Sequence, residues 1–426
     1  MSSAPAKLVS SEISEGSDAP LNRFGDCIER IGGQLKHNGA MGLVVVSAGT
    51  LEEIERKFGV EVHQIASQRL SSLVIEACGA EIESDDLVVS GAVGADEIFV
   101  FLFRSRSDDQ FYRESIDQVA ASIASKIAAA GNRIVYPYRR DMPCVPVGSS
   151  FAIHNPGISE DRQVREAIDR ARADAELNAK IETRNRAKRF LDLVLAEDVT
   201  ALYEPIVNVT TREVIGYEAL SRGPWDTELH APEALFEMGE KTGLVFELDC
   251  LCRRIALRGA RGLSPGKLLF LNCLPTAIHD PAFRGDVLKQ TLEELRLRPS
   301  DVVFEISEKE SIHNFEIFRE ARDYYGDLGF KVALDDTGVA YGSLEAIMEL
   351  SPDFIKVDLT LVRGIDTDPP RQELLRALNG VAASINASVI AEGIETSEEL
   401  ATIHELGIPY GQGYLFGRPA PLRRAV

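Results

Sequence analysis

Five carboxylates (Glu218, Glu305, Asp335, Asp336 and Glu392), the carboxamides of Asn272 and Gln412, and the ammonium of Lys356 share one property. Each stands at or near the end of a run of β-branched and aromatic residues that reads as a strand, and only the adjacent aspartates share a run. A single acid in such a place is usually a helix cap or a solvated loop residue. Seven strand ends carrying acids, carboxamides or a lysine point instead to a common site. If these ends converge, five carboxylates and a carboxamide oxygen face one space, and their repulsion calls for hard divalent cations such as Mg²⁺ or Mn²⁺. Asp335 beside Asp336 suits two ions about 3.5–4 Å apart that share and acidify a water, which is phosphoester chemistry. No HExxH, P-loop or dinucleotide-binding glycine pattern competes with this reading.

The elements that must position these residues form a repeating strand, loop and helix from Leu202 onward. The spacing predicts strands at 202–209, 214–220, 268–272, 302–306, 331–335, 354–357 and 388–391, and a short one at Tyr410. Helical spacing lies between most of them, at 246–261, 315–328, 372–385 and 397–406. Roughly 220 residues of such alternation suit one α/β barrel of parallel strands wrapped by helices.

Upstream, strands are predicted at 42–46, 86–90, 98–103 and 147–153, with helices at 51–58, 63–77 and 110–130, the pattern of a smaller α+β domain. A charged stretch free of Gly and Pro follows and reads as a connecting helix, with Ile168, Ala171, Ala175, Ile181 and Leu191 on roughly one side. The first 21 residues, rich in Ser, Ala and Glu, read as a flexible tail. A net charge of -21 repels nucleic acid polymers and anionic lipid. With no run of about 18 apolar residues and no secretory pattern at the start, a cytoplasmic chain without membrane contact is expected. The six cysteines include no CxxC pair and read as reduced core thiols.

The barrel segment resembles the EAL family of cyclic di-GMP phosphodiesterases from about Arg189 to Pro421. The name motif stands as Glu218, Ala219 and Leu220, and Arg222 completes EALSR. FLNCLP around Asn272, FEISE with Glu305 and Glu308, DDTG, IKVD with Lys356, AEGIET with Glu392 and QGYLFGRP with Gln412 follow in order. The resemblance implies Glu218, Asn272, Glu305, Asp335, Asp336 and Glu392 as ligands of a two-metal Mg²⁺ or Mn²⁺ site. Lys356 would hold the attacking water and act in catalysis with Glu218, Asp335 and Asp336. Leu220, Arg222, Glu204 and Gln412 would bind substrate, Glu308 would steady the loop after the double aspartate, and the domain would form a homodimer. Two departures stand out. The stretch DDTGVAYGS from Asp335 to Ser343 replaces the more frequent DDFGTGYSS, and YEPI puts Glu204 where glutamine is common, adding negative charge.

The segment from Asn22 to about Leu177 resembles a degenerate GGDEF domain through Gly94, Ala95, Asp96, Glu97 and Ile98. Ser47 and Gly49 stand where that family has aspartates and Glu55 where it has asparagine, so cyclase activity is not expected and a regulatory, dimerising or protein-binding role is. The resulting division is a tail at 1–21, a GGDEF-like domain at 22–158, a connecting helix at 159–196 and an EAL domain at 197–426. Two functions follow from the resemblance: hydrolysis of cyclic di-GMP to linear pGpG, or a weak or silent receptor that binds the dinucleotide and signals through protein contacts.

Overall fold

The computed structural model describes residues 21–91, 96–136, 138, 145–307, 315–337 and 343–422. Its contacts divide the chain into two compact units, 1–186 and 187–426.

The first unit is built on a four-stranded antiparallel sheet of β1 (Ala40–Ser47), β2 (Leu87–Ser90), β3 (Glu97–Leu102) and β4 (Val147–Ile153), in the order β2-β3-β1-β4. Helix α1 (Phe24–Asn38) precedes the sheet, and α2 (Glu52–Phe58), α3 (Val60–Cys78), α4 (Ile116–Ala130) and α5 (Asn132–Val135) connect its strands. Strand β1 is buried along almost its whole length because it serves two cores. Val44 and Val46 pack with α3 and α4, while Met41, Leu43 and Val45 pack with α1 and with Val164, Ala167, Ile168 and Ala171 of helix α6 (Glu160–Leu195). Period-2 alternation on a strand covered from both sides explains why it reads as an unbroken apolar run.

The apolar stripe expected along α6 is not continuous. Ala171 and Ala175 are buried, but Leu177, Ile181 and Leu191 are exposed, and burial resumes at Phe190 and Leu193. Gly148 of β4 lies so close to α6 that a Cβ there would collide with the backbone at Ala171 and Ala175.

In the second unit eight strands close a barrel in the order β10-β11-β12-β5-β6-β7-β8-β9. They are β5 (Thr200–Asn208), β6 (Val214–Arg222), β7 (Leu268–Asn272), β8 (Val302–Ser307), β9 (Lys331–Thr337), β10 (Phe354–Val357), β11 (Ser388–Ala391) and β12 (Tyr410–Gln412). Helices α7 (Pro232–Thr242) and α8 (Val245–Gly259) follow β6, and further helices, including 315–327, 369–384 and 397–405, lie between later strands.

The expectation of an all-parallel barrel is corrected at β5, which runs antiparallel to both β6 and β12. The cause is local. Only residues 209–213 join β5 to β6, and a parallel connection needs a dozen residues or more. The Asn208 side-chain oxygen accepts from the backbone of Thr210 and Thr211, and Arg212 takes the left-handed conformation (φ 63°) that closes the hairpin. Among the described residues no helix is long and apolar enough to cross a membrane, and no cysteine is in a disulfide.

Candidate active site

Alternation along the barrel strands produces the site. Ile206, Phe270, Val303, Ala333, Phe354 and Ile390 form an apolar layer, with Tyr410 packed on it. Two residues further along their strands stand Asn272, Glu305, Asp335, Lys356, Glu392 and Gln412, so a period of two repeats the inward direction one layer higher. On β6 the lower position is Gly216, where a Cβ would lie 2.5 Å from the carbonyl oxygen of Leu268, and two residues on is Glu218. Because β5 runs the other way, its contribution lies two residues back, at Glu204, opposite Glu218 in the ladder.

Lys356 is the hub. Its Nζ lies 2.7 Å from Glu392 Oε1, 2.9 Å from Glu305 Oε1, 3.1 Å from Glu218 Oε2 and 3.3 Å from Asp335 Oδ1, with only 1% of the side chain exposed. Burial by itself pushes an ammonium toward its neutral form, but Asp335, Glu218, Glu305 and Glu392 outweigh that and hold Lys356 well above the usual lysine range. One cation cannot satisfy four carboxylates, of which Glu218 and Glu305 are buried and Asp335 and Glu392 partly buried. Burial, reinforced by neighbouring negative charge, therefore raises Glu305 and Glu392 well above the carboxylate range, and Asp335 is raised as well. Glu218 goes the other way. Burial opposes its charge, yet Lys356 and the amide donors Gln412 Nε2 (2.7 Å) and Asn272 Nδ2 (3.0 Å) prevail and lower it.

This donor set fits a hard cation. Oxygens of Glu218, Glu305 and Asp335 lie within 4.8 Å of one another. Both oxygens of Glu305, Asp335 Oδ1 and Gln412 Oε1 are buried without a hydrogen-bond partner, even though Lys356 sits at ion-pair distance from two of them. Unsatisfied buried oxygens of this kind are costly unless something positive meets them. Asp336 is partly buried and takes the left-handed conformation (φ 58°) within β9, where the pairing of β9 with β10 shifts register.

The cluster opens into a cavity of about 740 Å³ that Glu204, Leu220 and Asp336 also line. Burial raises the Glu204 carboxyl against the opposing Gln412 hydrogen bond, so it surrenders its proton less readily than a solvent-facing glutamate. Arg222 is not among the lining residues, and its Nη1 donates to Ser221 O at 2.8 Å. Glu308 and residues 338–342 of the altered loop lie outside the described residues. Sequence reasoning did not single out Asp249, Arg253 and Arg363 as lining residues. They come from helices or the turns that end them, where the strand-end signal does not operate.

Residues 187–419 match the EAL domain family. The chain belongs to that family. It is 29% identical over 232 residues to the probable cyclic di-GMP phosphodiesterase PdeA of Escherichia coli, covering 53% of this chain and 31% of PdeA. Over 221 residues it is likewise 29% identical to the blue light- and temperature-regulated antirepressor BluF of Escherichia coli, covering 51% of this chain and 53% of BluF. The chain thus spans about a third of the length of PdeA and about half that of BluF. In fold, this EAL chain is similar to the PaMucR phosphodiesterase in complex with c-di-GMP, with a TM-score of 0.50 and 24% identity, over 55% of this chain and 97% of that one.

Asp96 and Glu97, two of the residues that carry the GGDEF resemblance, are engaged within the first unit. Asp96 holds His63 Nε2 at 2.9 Å through both carboxylate oxygens, and Glu97 is bound by Arg172 of α6 at 2.8 and 2.6 Å. Gly94 and Ala95 lie outside the described residues.

Proposed function

We propose that this EAL chain hydrolyses cyclic di-GMP to linear pGpG, with Mg²⁺ or Mn²⁺ held by Glu218, Asn272, Glu305, Asp335, Asp336 and Glu392. The observation that carries the reading is the cluster of four carboxylates around the buried Lys356, whose single charge leaves oxygens of Glu305, Asp335 and Gln412 without hydrogen-bond partners beside a large cavity. When bound, the ions would neutralise the phosphodiester and acidify water at the site.

The chain's own groups do the rest. Lys356, kept charged by its neighbours, orients the attacking water. Gln412 and Asn272 fix both oxygens of Glu218. Leu220 and Glu204 line the dinucleotide cavity, and Arg222 turns from Ser221 O to clamp a phosphate. Water oxygen bonds to phosphorus as one P–O3′ bond breaks, the 3′-oxygen takes up a proton, and the ring opens to pGpG. The first unit, read as a degenerate GGDEF domain, serves regulation, dimerisation or a protein partner, since Asp96 and Glu97 are already paired within it. The EAL domain forms the homodimer.

A receptor that binds cyclic di-GMP without cutting it is the second reading, supported by the altered loop at 337–343 and by the resemblance to an antirepressor. The test is incubation of the full-length chain with cyclic di-GMP and Mg²⁺, Mn²⁺ or Ca²⁺, followed by nucleotide separation. Formation of pGpG that disappears in Glu218→Ala supports the enzyme. Intact substrate with measurable binding supports the receptor.

A further inference from the structure

Arg253 of α8 is the bulkiest fully buried side chain among the described residues. Its Nε and Nη2 lie 3.0 and 2.9 Å from Asp249 Oδ2, one turn earlier, and Nη2 lies 3.3 Å from Asp280 Oδ2. The guanidinium covers the Phe283 ring at 4.3 Å. All three charged residues are at most 3% exposed.

Such a triad is a poor device for stability. Taking three charges out of water costs several kcal/mol per ion, and apolar side chains of similar volume often serve as well or better. The strain is visible here: burial pushes Asp249 up to about 6 despite its bonds to Arg253, and Arg253 Nη1 is buried without a partner.

The triad does, however, fix a particular piece of backbone. Asp249 Oδ1 accepts from the Leu274 N–H (3.3 Å), and Asp280 Oδ1 accepts from the Ala282 N–H (2.9 Å). Both ends of the segment that follows β7 are thereby tied to α8 through one guanidinium. Two residues before Leu274 stands Asn272. Its side chain is exposed and donates to Glu218 Oε1, so its aim depends chiefly on the backbone beneath it.

We infer that Asp249, Arg253 and Asp280 are positioning residues that set the carboxamide of Asn272 for the cation site. This deepens the reading above and rests on it. The test is Mn²⁺ binding to the full-length chain without nucleotide, followed by electron paramagnetic resonance of free Mn²⁺. Asp249→Leu and Arg253→Met are expected to weaken binding roughly 10- to 100-fold, the usual effect of losing support behind a metal ligand. Asp249→Asn keeps one oxygen acceptor, enough for the Leu274 N–H or for Arg253 but not for both, so it should bind more tightly than Asp249→Leu and more weakly than wild type. Leu248→Ala truncates the neighbouring core residue on the same helix, so it should lower stability and leave Mn²⁺ affinity unchanged. Should Arg253→Met fail to fold, the contrast between Asp249→Leu and Asp249→Asn decides. Wild-type affinity in Asp249→Leu, or an equal loss in Leu248→Ala, overturns the inference. If the wild-type chain binds no Mn²⁺, or binds it no better than Glu305→Gln, the metal reading itself fails and this inference falls with it.

Discussion

Replacing Lys356 with methionine removes the only positive charge within 3.3 Å of Glu218, Glu305, Asp335 and Glu392 among the described residues, while roughly keeping the volume. At an effective dielectric of about 20, each pair near 3 Å is worth about 5–6 kcal/mol before desolvation and carboxylate repulsion are subtracted. Removing one partner of a buried ion pair costs about 3–5 kcal/mol net, and that is the loss expected for the barrel in chelator near neutral pH.

The loss has a pH signature. Glu305, Glu392 and Asp335 have folded-state proton affinities above the ordinary carboxylate range, and without Lys356 these rise further. Below that range they are protonated in both folded and unfolded chains and cost nothing extra. The penalty therefore enters as pH rises above the ordinary carboxylate values and grows until it passes the raised folded-state values. It should be small near pH 4 and large near pH 8. Saturating Mg²⁺ should recover about 2.7 kcal/mol at a hundredfold excess over its dissociation constant, since the ion binds only the folded barrel. Urea denaturation followed by circular dichroism, with chelator and with Mg²⁺ at both pH values, measures all of this, and hydrolysis should be lost throughout. Equal stability of Lys356→Met and wild type in chelator at pH 8, or a loss indifferent to pH, would refute the charge-balance account of the site.

Two further outcomes follow. Burial and neighbouring negative charge favour the protonated forms of Glu305 and Glu392 in the ion-free site, so cation binding should release protons: Mn²⁺ affinity should rise with pH, and calorimetry in buffers of different ionisation heat should show net proton release. A Cβ on Gly148 would meet backbone rather than a yielding side chain, so Gly148→Ala should cost the first unit about 1–3 kcal/mol, seen as faster hydrogen exchange along residues 160–186.

The strand-end residues of the candidate site were legible in the chain because barrel strands impose two local rules: inward positions recur every second residue, and chemistry collects at strand ends. Phe270 before Asn272, Val303 before Glu305 and Phe354 before Lys356 display that rhythm in the sequence itself. The strand positions of the first unit were legible for the same reason. Strand direction was not, although the five residues between Asn208 and Val214 could have revealed the hairpin. It is the reversed course of β5 that brings Glu204 opposite Glu218.

What only the tertiary structure decided is which charges meet. Lys356 among four carboxylates, Arg253 between Asp249 and Asp280, and Arg172 on Glu97 join residues up to 138 positions apart in the chain. Sequence alone determined the residue types and their spacing along each strand, because propensity and alternation act over a few residues. The partners, and with them the direction in which each buried group's proton affinity moves, depend on barrel closure and burial, which no local stretch of the chain contains.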